Sequence, residues 1–439
     1  MFTTGGKIMS RSCLSKKEMA NVFNKALATD GLISTDDTAV LFYDLDFLSE
    51  RIINLKNLFP QNTFHAIAVK ANPLIKILKH INTLDAGLEV ASIAELRLAQ
   101  DAGFSSGKIV FDSPAKTNQE LDYALKTGVW LNADSFDELD RIGAILRNIK
   151  SESKIGIRLN PQVGSGSIQI TSVSDFISKF GIPLDDHREK LKEYFFKYEW
   201  LKGVHVHVGS QGCSASLLLG GIKKVLDFAN EINESFKDQS VAKRIEVFDM
   251  GGGLAVSYDE NISAVSMNEY RALLEEKIPG LFSGDIKLIT EFGRYIHANT
   301  GWAASRVEYV KREKNYNIIM THLGADFLLR ACYNPKDWHH QITVVDKDGN
   351  LKTGKDHYKY WVAGPLCFAG DILTKDIELP VVEDGDYILI HDIGAYTLSM
   401  WSRYNSRQIP KVIGYHGTKG NFEILKNRED LQDLIDFWS

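Results

Sequence analysis

The chain has 439 residues, 44% hydrophobic and 25% charged, with a formal net charge of −6. That length can bury a large core and predicts two domains, while the mild acidity argues against a nucleic-acid or anionic-membrane partner. The apolar runs are too short to span a bilayer, the opening MFTTGGKIMSRSC lacks a signal-peptide block, and Cys13, Cys213, Cys332 and Cys367 follow no metal or disulfide spacing. We read a reducing, cytoplasmic protein without a structural metal.

In chain order, Ala39–Tyr43 predicts a strand and Leu45–Leu55 a helix, and this pair can join either domain. From residue 64 to 290 short apolar strands alternate with helical stretches. The candidate strands are Phe64–Val69, Leu88–Val90, Ile109–Phe111, Trp130–Asn132, Ile155–Leu159, Val204–Val208, Ile245–Phe248 and Lys287–Ile289. Eight is the number that closes a parallel β/α barrel. Asn72 is expected to cap a helix whose first position is Pro73. Ser92 with Glu95, and Ser135 with Glu138, read as capping boxes, and Leu139, Ile142, Leu146 and Ile149 form an apolar helical face. Residues 164–182, GSGSIQITSVSDFISKFGI, predict a loop after the fifth strand, with Phe176, Phe180 and Ile182 on a docking element. Such a loop contacts ligand or a neighbouring subunit, or is a plain insertion. Beyond about residue 305, VEYVKR, YNIIMTHL, ITVVDKDG, HYKYWVAG and DYILIHDI predict antiparallel strands in a second, β-rich domain. The tail NREDLQDLIDFW predicts a short amphipathic packing helix. The expected division is a barrel over 45–305 and a β-rich domain from 1–44 with 306–439.

The chemistry-bearing residues cluster at strand ends. Lys70 closes FHAIAVK and puts a primary amine at the C-terminal end of a barrel strand, where such barrels do their chemistry and where an amine can form a Schiff base with an aldehyde cofactor. Gly251-Gly252-Gly253 follows the seventh strand and can turn N–H groups toward an anion; a tight turn is the plainer alternative. Gly293-Arg294 follows the eighth and adds a cationic fork near the same place. Glu291 can face a pyridine nitrogen and keep it protonated, although an isolated glutamate is more often a surface charge. His207 ends the sixth strand and can lie over a flat aromatic cofactor, with Ser210 offering a hydroxyl to a phosphate; His205 points the same way by strand periodicity. Arg158 is expected to pair with a neighbouring acid. These parts fit pyridoxal 5'-phosphate, and barrels that take phosphorylated substrates share most of them.

The chain resembles the fold-type III, or alanine-racemase-like, pyridoxal-phosphate enzymes, and among them the diaminopimelate and ornithine decarboxylases. The resemblance spans roughly residues 38 to 415 through AIAVKANP, EVASIAELRLA, IRLNP, SKFGI, HVGSQ, DMGGGLAVSY, EFGR, GPLCFAGDIL and GAYTLSMWSRYN. It implies a (β/α)8 barrel with a β-rich C-terminal domain and decarboxylation of an amino acid. Lys70 would be the Schiff-base lysine, Glu291 the partner of the ring nitrogen, and His207 the residue stacked on the ring. Ser210, Gly252, Gly253, Gly293, Arg294 and Tyr396 would surround the phosphate. Cys367 would reach the site across a homodimer interface and protonate the α-carbon once carbon dioxide has left.

The chain also departs from that family. Diaminopimelate enzymes read C-E-S-G-D where this chain has Cys367-Phe368-Ala369-Gly370-Asp371, and Phe368 cannot accept a hydrogen bond from a distal ammonium. LLRACY resembles the family's L-L-R-P-x-x-Y, so Arg330 and Tyr333 could still hold a distal carboxylate, with Phe368 and Asp371 beside it. Phe292 replaces the proline of E-P-G-R and Glu89 an aspartate. The expectation is retained chemistry with altered substrate recognition: diaminopimelate, or a related substrate with a distal anionic group. The rivals are an amino-acid racemase on the same barrel and a cofactor-free regulatory homologue.

Overall fold

The computed structural model describes residues 14–236, 244–259, 264–417 and 420–439. The opening segment, with Cys13, lies outside the described residues. Two compact units divide them. One takes the residues up to Asn54, then Tyr258 and Asp259, then Ile296 onward; the other takes Leu55–Ser257 and the residues up to Tyr295. Among the described residues no helix is long and apolar enough to cross a membrane.

The first strand, β1 (Ala39–Asp44), belongs to the first unit. The second unit is a closed barrel of β2 (Phe64–Ala68), β3 (Gly87–Val90), β4 (Ile109–Asp112), β5 (Trp130–Ala133), β6 (Ile155–Asn160), β8 (Leu201–His205), β9 (Val247–Asp249) and β10 (Lys287–Thr290). All pair in parallel, and β5 pairing with β6 closes the ring; β7 (Ile182–Pro183) is a two-residue spur on β6. Helices between the strands cover the outer face, so both faces are buried and the strands read as apolar runs. Ala66, Val110, Trp130, Val247 and Ile289 fill part of the interior, and the Phe64 ring packs on them, 5.5 Å from Trp130.

Several local expectations shift. The strand expected at 204–208 ends at His205, so His207 stands on the following loop. The helix expected from Pro73 starts at Ile75, because Val69–Ala71 first makes a 3-10 turn and the Asn72 Oδ1 accepts from the Leu74 N–H. Ser92 and Ser135 do cap their helices, but Glu95 and Glu138 bond the N–H of Ala91 and Asp134, one residue before the cap, so neither box closes. Leu139 and Ile142 are buried, whereas the helix stops at Leu146, short of Ile149. In the 164–182 loop Phe176 is exposed, while Phe180 lies under the Arg158 guanidinium and Ile182 pairs with Leu159. Phe292, expected to affect loop stiffness, is buried among Phe59, Tyr270 and Tyr295 and acts as core.

The other unit holds two sheets. One runs β14 (Ile342–Val345), β17 (Tyr387–Ile390), β11 (Gly301–Arg306), β1, β18 (Lys411–His416) and β19 (Asn421–Lys426); the second runs β12 (Tyr309–Arg312), β13 (Asn317–Met320), β15 (His357–Ala363) and β16 (Ile372–Pro380). The pairing is mostly antiparallel as expected, except that β1–β18 and β13–β15 are parallel. Helix Lys16–Ala28 is closed by a full Ser15–Glu18 capping box and buries Met19, Val22 and Phe23 against the larger sheet, where Phe42 stacks on Trp302 at 4.2 Å. The C-terminal helix Leu431–Trp438 buries Leu434, but leaves Leu431, Ile435, Phe437 and Trp438 exposed, so the expected packing role is met by one side chain.

Trp302 is fully buried and touches Phe23, Phe42 and Tyr415. Trp302→Ala should therefore cost about 3–5 kcal/mol, visible as a lower denaturant midpoint for the β-rich unit by near-UV circular dichroism.

Candidate active site at the barrel mouth

Strand alternation builds the site. Successive residues of a strand point to opposite faces, so positions two apart share one. The inward positions are apolar low in the barrel and turn polar two residues later: Gly87 is followed by Glu89, Val110 by Asp112, Trp130 by Asn132, Val247 by Asp249 and Ile289 by Glu291. On β2 the same count runs Ala66, Ala68, Lys70. Lys70 thus rises above the strand end on its 3-10 turn, its side chain 40% exposed, while Glu89 is fully buried.

The Lys70 Nζ donates to Glu89 Oε2 at 2.7 Å. Burial pushes the Glu89 carboxyl up to about 8, opposed by Lys70 and aided by the charges of Glu291 and Asp112. Asp112 and Asp249 are also raised, chiefly by burial; Glu291 pushes both further, while His205 opposes the rise at Asp112. His205 lies inside this group, and its ring nitrogens approach Asp112 and Glu291 at 3.5 Å each. His207 does not share its place, because the strand has ended; its Nδ1 accepts the Gly252 N–H at 3.2 Å, and burial holds its pKa well below the usual value. Arg158 meets its acid as expected, 4.0 Å from Asp134.

The glycines have a backbone reason to be there. The Asp249 Oδ1 accepts the Gly251 N–H, and the Gly251 carbonyl accepts the Glu291 N–H at 2.8 Å, tying the seventh and eighth strand ends together. A Cβ on Gly252 would lie 2.3 Å from the Glu291 carbonyl; on Gly253, at φ +98°, it would lie 2.1 Å from that of Gly209. Beside them the Arg294 Nε donates to Ser210 Oγ at 3.2 Å. Ser210, Gly252, Gly253, Gly293 and Arg294 therefore share one side of the mouth. Lys70, Glu89, His205 and Glu291 join them, together with Asp112 and Asp249, which sequence reasoning missed. Their signal was a carboxylate two positions after an inward apolar residue.

The remaining residues belong to the other unit. The Arg330 guanidinium lies 4.8 Å from the Trp338 ring and 5.0 Å from the Tyr396 ring; Tyr396 has a left-handed backbone, φ +58°. Tyr333 is exposed and stacks on Phe368, centroids 5.1 Å apart and planes at 18°. Cys367 is exposed; its N–H donates to Asn405 Oδ1 and its carbonyl accepts from the Tyr404 hydroxyl. Asp371 is buried, with its two oxygens accepting the N–H groups of Ala325 and Leu366. That gives it a duty in holding the loop, which the substrate-facing position expected of it did not include.

The family model for the pyridoxal-binding domain of pyridoxal-dependent decarboxylases matches residues 45–298. A diaminopimelate decarboxylase of Helicobacter pylori is 32% identical over 412 residues, covering 92% of this chain and 96% of the relative. One of Archaeoglobus fulgidus is 32% identical over 380 residues, covering 84% and 85%. Among solved structures, the diaminopimelate decarboxylase of Helicobacter pylori complexed with L-lysine matches with a TM-score of 0.78 at 30% identity, over 91% of this chain and 96% of that one. Lysine/ornithine decarboxylase from Vibrio vulnificus, TM-score 0.73 at 20% identity over 90% and 98%, shares the fold.

Two outcomes follow from the geometry. Gly253→Ala, strained at φ +98° and obstructed by the Gly209 carbonyl, should destabilise the barrel, seen as a lower urea midpoint. Burial also pulls His65 down to about 4 and His205 to about 3. Both folded values lie below the ordinary 6.5, so these rings gain protons on unfolding, and the stability they contribute is present above about 6.5 and lost as pH falls toward 3–4. Urea midpoints of the barrel should decline across that window, and less steeply in His65→Phe.

Proposed function

Because the chain belongs to the family of pyridoxal-dependent decarboxylases, we propose that it removes the α-carboxylate of an amino acid related to diaminopimelate, with Lys70 holding the cofactor and Cys367 donating the proton that replaces carbon dioxide. The observation that carries this reading is the convergence at one barrel mouth of the Lys70 amine, the Glu291 carboxyl and the Ser210–Arg294 pair.

The residues fit pyridoxal phosphate. Glu291 is buried and its Oε1 has no hydrogen-bond partner among the described residues, which suits an acceptor waiting for a ring N–H. Gly252 and Gly253 pack their backbone against the Glu291 and Gly209 carbonyls, where no side chain fits, next to the cationic Arg294. When bound, pyridoxal phosphate supplies an electron sink for the pair left behind by carbon dioxide. Lys70 would anchor it through Nζ, and Glu89 would take the proton that Nζ must shed to become a nucleophile. His207, neutral and fixed by the Gly252 N–H, would cover the ring without adding charge. Ser210, Arg294 and the Gly253 N–H would hold the phosphate, since the Gly251 and Gly252 N–H groups bond Asp249 and His207. The exposed Cys367 thiol would hand its proton to the α-carbon, in a homodimer that pairs this loop with the barrel of the partner subunit. A cytoplasmic setting suits the free Cys213, Cys332 and Cys367.

Substrate recognition is the altered part. Phe368 stacks on Tyr333, so the place of the family's glutamate carries an aromatic face with no acceptor for an ammonium, while Arg330, three residues before Tyr333 on the same short helix, would supply a cation for a distal anion. An amino acid or larger conjugate with a distal anionic group and without a free distal amine fits that pair.

A screen of L- and D-amino acids and their conjugates for carbon dioxide release, with amine products identified by mass, tests the activity; inversion at the α-carbon without carbon dioxide would favour a racemase instead. Lys70→Ala should abolish the absorbance band of the lysine-linked cofactor. Phe368→Glu should raise kcat/KM for diaminopimelate relative to substrates lacking the distal amine by about tenfold, the effect of one buried charge-assisted hydrogen bond; an unchanged ratio would remove Phe368 from substrate selection.

A further inference from the structure

Three backbone segments meet beside Ser210 and Arg294: residues 164–174 of the long loop, the turn 207–212 beyond β8, and residues 251–256 beyond β9. The long loop runs alongside the turn. Its Val173 N–H donates to the Val208 carbonyl at 3.2 Å, Ser172 bridges to Gly209, and its Thr171 carbonyl accepts the Ser210 N–H at 3.1 Å. The Thr171 hydroxyl lies between the Ile168 and Gln211 carbonyls, and the Ser167 N–H donates to the Gly212 carbonyl at 2.9 Å.

Gln211 joins these two segments to the third. Its Nε2 donates to the Val256 carbonyl at 2.8 Å, and its Oε1 accepts the Val256 N–H at 3.1 Å. Both ends of one amide thus meet the backbone of one residue, as a neighbouring strand would, and this fixes which end is which. Gln211 is half-buried and Val256 is buried, so the contact is partly withdrawn from water.

The hydrogen bonds already made leave few donors for an anion. The Ser210 N–H goes to Thr171, the Gly251 N–H to Asp249 and the Gly252 N–H to His207 Nδ1. What can serve a phosphate is the Ser210 hydroxyl, whose oxygen accepts from Arg294 Nε at 3.2 Å, Arg294 itself and the Gly253 N–H. Two ties bracket these donors. His207 to Gly252 closes one end, and Gln211 to Val256 closes the other. Ser210 lies between His207 and Gln211 in the chain, and Gly253 lies between Gly252 and Val256. Without the second tie the two turns are hydrogen-bonded to each other at one end, and their separation must be set again each time an anion binds.

We propose that Gln211 is a positioning residue for the phosphate end of the cofactor: its two bonds to Val256 hold the Ser210 turn and the Gly253 turn at a fixed separation, so that the phosphate meets a preformed cup. This role presupposes the proposed use of pyridoxal phosphate. Gln211 acts through the two turns, with its amide directed to Val256.

Pyridoxal keeps the aldehyde and lacks the phosphate, so it separates positioning of the phosphate from general support of the barrel. Full-length protein freed of cofactor is titrated with pyridoxal phosphate and with pyridoxal, read by the absorbance band of the lysine-linked form. The measure is the ratio of the two dissociation constants, which states how much the phosphate adds to binding. Gln211→Met keeps the side-chain length and removes both bonds. Its ratio should fall about tenfold from that of wild type, the worth of two backbone hydrogen bonds, with the constant for pyridoxal little changed. An unchanged ratio would overturn the proposal, whether both constants hold or both weaken together, since a merely structural role moves the two alike. If Gln211→Met does not fold, Gln211→Asn, one methylene too short to reach both Val256 groups, decides the matter by the same ratio. No band in wild type with pyridoxal phosphate would sink the cofactor reading and this role with it. A normal wild-type band with an unchanged ratio in the variant would sink this role alone.

Discussion

Charge buried at the end of a closed parallel barrel is the constraint on which this molecule depends. Lys70 and Glu89 meet at 2.7 Å with the carboxyl fully enclosed, and an enclosed carboxyl is tolerated only beside a cation or with a proton. Lys70 satisfies the first condition for Glu89. Asp112, Asp249 and Glu291 crowd with His205 within 4.8 Å, and burial raises the Asp112 and Asp249 carboxyls above the usual range. The barrel wall makes this arrangement possible because its eight strands are tied edge to edge, which keeps like charges together that would separate in a looser structure.

The same enclosure makes the backbone tight. The turns after β8, β9 and β10 run so close that Gly252 and Gly253 have no room for a side chain, and the Asp249 carboxyl both holds the Gly251 N–H and belongs to the buried group around His205. Packing and chemistry therefore rest on the same atoms. The glycines let three strand ends converge, so a side chain at either would disturb the backbone that shapes the mouth.

In the β-rich unit the loop that carries Cys367 and Phe368 is built independently of that buried charge. Cys367 and Phe368 sit on a loop whose shape is held from beneath by Asp371, through the N–H groups of Ala325 and Leu366. With the loop fixed from below, Cys367 stands exposed and the half-buried Phe368 stacks on Tyr333, presenting an aromatic face.

Much of this was legible in the residues. The eight barrel strands follow from apolar runs at regular spacing, and Lys70, Ser210, the glycines, Glu291 and Arg294 stand out because each is a chemically special residue placed just past such a run. Strand limits were less legible: His205 and His207 were expected to share a direction, but the strand ends between them and only the hydrogen-bond ladder marks that end. The C-terminal helix has an amphipathic pattern, yet its apolar face remains exposed, since periodicity specifies a face and says nothing of what covers it. By itself the sequence determined the barrel, the family and the parts of a cofactor site, because strand period and residue chemistry are local. Tertiary structure alone decided that Asp112, His205, Asp249 and Glu291 share one enclosed space, and that Phe368 leans on Tyr333, because burial and contact depend on distances between residues far apart in the chain.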